Sequence, residues 1–184
     1  MPGFTIVKCM ASASPAAAPR AEGWGRPASL AAIGLVALAV GLLVYLTDRD
    51  ASKAALIPTI AWLAGSHVFG ALGGWLPSFV HTFAFSLFTA AALPERSVPR
   101  YGACLAWFAV NAAFEVGQHP QISVRLAEAL QDGLGGSPFS QPLASYFVYG
   151  TFDYGDIVAA LLGALAAAAA LHLMHRGRRA IHAQ

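Results

Sequence analysis

Six polar side chains stand in otherwise apolar surroundings and could do chemistry: His81, Asn111, Glu115, Gln118, Asp153 and Asp156. Asn111, Glu115 and Gln118 are spaced i, i+4, i+7, which sets them on one face of a helix. A charge at the bilayer centre costs about 2.5–3.5 kcal/mol and less near the interface, so a stripe holding Glu115 is expected to face other helices. Ser78, Thr82, Ser86 and Thr89 form a comparable stripe on the preceding segment, and Asp153 and Asp156 open the last apolar run. A histidine between carboxylates can shuttle protons or bind a metal ion. Close carboxylates raise one another's pKa and suit proton transfer. The same residues also have an ordinary reading. Polar stripes fix helix packing by bonding to each other, Asp153 suits an N-cap, and acids favour the positive end of a helix dipole. The residues alone leave both readings open.

The elements that must carry these side chains follow from composition. Of 184 residues, 57% are apolar and 11% charged, against roughly 45–50% and about 25% in soluble domains. The mean hydropathy of +0.59 agrees. The expectation is an all-α, polytopic transmembrane helical bundle. A net charge of +2, scattered along the chain, argues against nucleic-acid binding. Two cysteines, Cys9 and Cys104, make neither a disulfide framework nor a cysteine-based metal site. Walker, nucleophile-elbow, H-E-x-x-H and dinucleotide motifs do not occur. These motifs assign no metal ligands and leave the cofactor unknown.

Four spans are expected, at about 29–46, 78–93, 101–118 and 156–173, because each is a charge-poor run near the length of a crossing. Residues 1–28 read as a disordered cytoplasmic tail, 29–175 as the transmembrane domain and 176–184 as a basic cytoplasmic tail. Segment 56–72, ended by Gly73-Gly74-Trp75-Leu76-Pro77, reads as an interfacial or re-entrant helix, with a fifth span as the alternative. Residues 119–155 read as an outer loop. With four spans the inner segments hold eight Lys and Arg against three outside; with five the split is seven against four. In both cases the C-terminus is cytoplasmic. In both, His81, Glu115, Gln118, Asp153 and Asp156 fall at the outer face. In the last span Ala159, Gly163 and Ala167 repeat at i+4, a small-residue stripe that permits close helix approach.

Three stretches carry a resemblance: His81-Thr82-Phe83-Ala84-Phe85 heading one span, Phe114-Glu115-Val116-Gly117-Gln118 closing the next, and Asp153-Tyr154-Gly155-Asp156 opening the last. In order and spacing they resemble the VanZ-like family of small bacterial membrane proteins, over roughly residues 76–170. The family is named for an accessory factor in glycopeptide (teicoplanin) resistance. Two departures mark a divergent branch. Thr151 lies where the family has an Arg shortly before the acids, and Ala160 where it has an Asn after them. The resemblance implies a helical membrane fold and an association with the bacterial cell envelope.

The expected function is that of an inner-membrane protein in contact with the lipid bilayer. Its outward-facing polar pocket, built from the six residues above, would engage an amphipathic envelope ligand. Two alternatives come from the same residues: an integral-membrane enzyme using His81 and the carboxylates for acid–base or metal-assisted chemistry on an envelope lipid, or a structural subunit whose polar groups only lock helices together.

Overall fold

The computed structural model of the chain describes residues 26–48 and 66–181. The expected tail over residues 1–25 and most of the expected interfacial segment, 56–65, lie outside the described residues. Within them the chain is all-helical, with six helices and no strand. These are α1 (Arg26–Asp48), α2 (Leu72–Ala92), α3 (Ser97–Gly117), α4 (Ser123–Gly133), α5 (Ser140–Tyr149) and α6 (Tyr154–Ile181).

Two of the helices, through Pro27–Asp48 of α1 and Tyr154–Arg176 of α6, are long and apolar enough to cross a membrane. Only 22% and 33% of their most apolar windows are buried within the fold, unlike the core helix of a soluble protein. Leu35, Val36 and Leu42 of α1, and Leu162, Leu165 and Leu173 of α6, point outward. Such apolar surface suits lipid better than water. α2 and α3, at 21 residues each, do not reach the same apolarity, so two of the four expected spans meet that measure.

α2 is the central helix, packed against α1, α3 and α6. Small residues let the backbones approach. On α1, Gly34 and Gly41 receive Phe88 and Val80 of α2. On α6, Ala159, Gly163 and Ala167 are buried, and a Cβ at Gly163 would strike the Phe79 carbonyl oxygen of α2. The small-residue stripe is thus used within the chain. Leu30, Leu87, Ala90, Cys104, Ala164, Ala167 and Leu171 form the core, with contributions from four helices. The α2–α3 turn is tied by buried Arg100, whose guanidinium donates to the carbonyls of Leu93 and Pro94 at 3.1 and 3.2 Å. These carbonyls follow a helix C-terminus, where a cation is favoured.

Three expected boundaries are corrected. Helix α2 begins at Leu72 and runs through Gly73-Gly74-Trp75-Leu76-Pro77. Pro77 lies early in the helix, where its missing N–H forfeits a single bond, to the Gly73 carbonyl. The turn before it is set by left-handed backbone at His67 (φ 48°) and Gly70 (φ 53°). The Phe69 amide in this turn donates to Asp48 at the end of α1. Second, 119–155 is no simple loop. It holds α4 and α5, a helical pair that leans on the end of α3 through Phe147, which stacks on Phe114 at 5.6 Å. Third, α6 continues past residue 173 into the expected basic tail, and α1 starts at Arg26, inside the expected N-terminal tail.

Close approach at Gly163 predicts that Gly163→Val will destabilise the protein by about 1–3 kcal/mol through overpacking. Gly102 on α3, with no atom within 4 Å of a Cβ placed there, is the control. Gly102→Ala should be neutral or stabilising by up to about 1 kcal/mol. Thermal melts of both variants in a neutral detergent check the contrast.

Candidate functional site

The head of α2, the tail of α3 and the head of α6 meet at one end of the bundle. Their junction is built on carboxylates. Glu115 Oε1 accepts the backbone N–H of Asp153 at 2.6 Å. Asp153 in turn caps α6: its Oδ1 accepts the Gly155 N–H at 2.7 Å, and its carbonyl accepts the Asp156 N–H at 3.1 Å. Asp153 Oδ2 accepts from Trp75 Nε1 at 3.3 Å, and Asp156 Oδ1 accepts from Ser78 Oγ at 2.7 Å. Three acids therefore gather where the unpaired amides and positive dipole end of α6 favour negative charge. Glu115 is buried; Asp153 is exposed and Asp156 half-buried.

Two separate spaces flank this junction. The first is a polar cleft of about 270 Å³ lined by Asp48, His67, Thr151, Asp153, Asp156 and the glycines heading α2. Asp48 belongs to the end of α1, where its carboxylate accepts from the Thr47 hydroxyl at 2.7 Å and from the Phe69 amide. The second is a lateral groove of about 300 Å³ between α2, α3 and α5, lined by His81, Phe85, Trp107, Val110, Asn111, Phe114 and Tyr146. Phe85 and Trp107 stack at 4.9 Å, and Phe114 meets Tyr146 edge-on at 5.7 Å. Trp107 is held by its indole N–H, which donates to Thr89 Oγ1 at 2.8 Å.

The six residues singled out in the sequence are thus divided among three places. Glu115, Asp153 and Asp156 come together at the junction. Gln118 is buried beside it, against Gly150. His81 and Asn111 do not join the acids; they line the groove. His81 is exposed there, with the Phe85 ring centroid 6.1 Å away, while Asn111 donates through Nδ2 to the Trp107 carbonyl at 2.9 Å. The expected placement of His81 between the carboxylates is therefore not formed; the histidine that shares a cleft with Asp48, Asp153 and Asp156 is His67. No three His, Cys, Asp or Glu side chains among the described residues converge to hold a metal ion.

Burial raises the Tyr146 phenol above its ordinary pKa, and the negative charge of Glu115 adds to this, while the Gln118 amide acts the other way. Tyr146 is therefore a neutral hydroxyl at physiological pH. The sequence reading missed it, together with Phe85, Trp107 and Phe114. The groove positions Trp107, Val110, Asn111 and Phe114 do follow helical spacing on α3, but Tyr146 sits in a segment read as a loop.

Comparison with protein-family models, curated proteins and solved structures finds no match to this chain.

The junction predicts a clear split between variants. Glu115→Ala leaves the Asp153 amide without its acceptor and should cost about 1–3 kcal/mol, lowering abundance and melting temperature. Glu115→Gln keeps an acceptor oxygen and should lose less. His81→Ala, at an exposed groove position, should leave both measurements near wild type.

Proposed function

We propose that this chain is a multi-pass bacterial inner-membrane protein of VanZ-like type that holds an amphipathic envelope compound in its lateral aromatic groove. The chain crosses four times, through α1, α2, α3 and α6, with the basic end of α6 in the cytoplasm and the α4–α5 pair outside. Supporting this are the lipid-suited surfaces of α1 and α6 and the excess of Lys and Arg in the segments assigned to the inside. Helices of 21 residues, such as α2 and α3, are about 31 Å long, enough for a ~30 Å hydrocarbon layer. The three stretches behind the VanZ likeness lie on α2, α3 and α6, and two of them share the Glu115–Asp153 hydrogen bond.

The observation that carries the binding reading is the groove itself. It opens sideways between helices and is lined mainly by aromatic rings, with His81, Asn111 and Tyr146 as polar contacts. A site for an amphiphile needs this mixture: apolar walls for a chain or ring and a few polar groups to orient a head. The carboxylates of the junction, by contrast, are engaged in joining helices. That favours a binding protein over an enzyme using Glu115 as its base.

Two measurements test the reading. In a chain whose native cysteines are replaced, Ser137→Cys should react with a membrane-impermeant maleimide in intact cells, and Ser97→Cys only after permeabilisation. Labelling of both positions from one side would overturn the four-crossing arrangement. Protein purified in mild detergent should carry an amphiphile detectable by mass spectrometry, and Phe85→Leu, which removes an exposed groove ring, should lose it several-fold at unchanged abundance. Equal retention by the variant would remove the groove from the function.

A further inference from the structure

The groove's charge pattern narrows what head group it can hold. Four of its seven lining residues are aromatic, and none is Lys, Arg, Asp or Glu. A phosphate or carboxylate head would meet no cation there. It would also lie one helical turn from the junction acids, since Glu115 follows Asn111 by four residues on α3 and Ser78, the donor to Asp156, precedes His81 by three on α2. A neutral head group would gain hydrogen bonds but nothing from that field. A cation gains from both the carboxylates and the negative faces of the rings.

The polar groups at the rim point the same way. Asn111 donates one of its two side-chain N–H groups to the Trp107 carbonyl and keeps its side-chain oxygen as an acceptor. A neutral His81 imidazole supplies an acceptor nitrogen, and the Tyr146 oxygen supplies a further one. Acceptors beside stacked rings suit N–H or N–CH₃ groups of positive charge. Phe85 and Trp107, stacked at 4.9 Å with 24° between their planes, give a broad π surface for such a group.

We propose that the α2–α3–α5 groove selects an alkylammonium head group carried on an apolar tail, either an amine-bearing bilayer lipid or a soluble amphipathic amine. This deepens the groove-binding reading above and rests on it.

The test uses the full chain in a neutral maltoside detergent at pH 7.5, where an imidazole of ordinary pKa is uncharged. Binding of dodecyltrimethylammonium, dodecylammonium, dodecanol and dodecyl phosphate is followed by tryptophan fluorescence and native mass spectrometry. Both ammonium probes should bind at least about tenfold more tightly than dodecanol, and dodecyl phosphate most weakly. His81→Lys, which places a fixed cation in the groove, should abolish that preference, while His81→Gln should keep it. Should the lysine variant fail to melt cooperatively, Trp107→Leu is read instead and should lose the ammonium preference by removing the best ring. Competition with dihexanoyl-phosphatidylethanolamine separates the two sources: displacement of dodecylammonium supports a bilayer lipid, and its failure supports a soluble amine. If dodecanol or dodecyl phosphate binds as tightly as the ammonium probes, the head-group assignment is overturned and the groove remains an amphiphile site. If none of the four probes binds, the groove-binding reading itself falls.

Discussion

A single carboxylate meeting a single backbone amide organises the polar end of this molecule. Glu115, in the last turn of α3, accepts the N–H of Asp153 just before α6 starts. Without that contact the end of α3 would present a buried acid with no partner, and the head of α6 would lose its register against it. The arrangement also explains how three acids tolerate one another. Each faces a donor: the Asp153 amide for Glu115, the Gly155 amide and Trp75 indole for Asp153, and the Ser78 hydroxyl for Asp156. The positive end of the α6 dipole supplies a favourable field for all three.

This division of labour shapes the functional reading. Acids that would be candidates for proton transfer are occupied in holding α2, α3 and α6 together. What remains accessible is a polar cleft beside the acids and, one helical turn away, a groove lined mainly by aromatic rings.

Close helix approach provides the frame. α2 touches α1, α3 and α6, and it does so over glycine and alanine: Gly34 and Gly41 on one side, Gly163 and its neighbouring alanines on the other. Small residues where the helices meet leave large aliphatic side chains such as Leu35, Val36, Leu162 and Leu165 outside, while Leu30, Val44 and Leu171 turn inward. The same economy places α5 against α3, where Gly117 leaves room for the Phe147 ring.

Much of this was legible from the residues. Hydropathy alone located α1 and α6 closely, because a long charge-free run has few alternatives to a helix. The meeting of Glu115 with Asp153 and Asp156 followed from counting alternating runs. Two features were beyond such reasoning. Helices α4 and α5, of 11 and 10 residues, are too short to read as crossings, and their placement depends on contacts such as Phe147 with Phe114. The direction of His81 was also undetermined, since Ser78 and His81 differ by three residues, or roughly 60° around the helix. On a helix with neighbours on several sides, that angle decides whether a side chain faces the acids of α6 or the rings of α3 and α5. Sequence thus determined which residues are polar and at which end they lie; only the rotation and packing of α2 decided that the histidine and the carboxylates occupy different spaces.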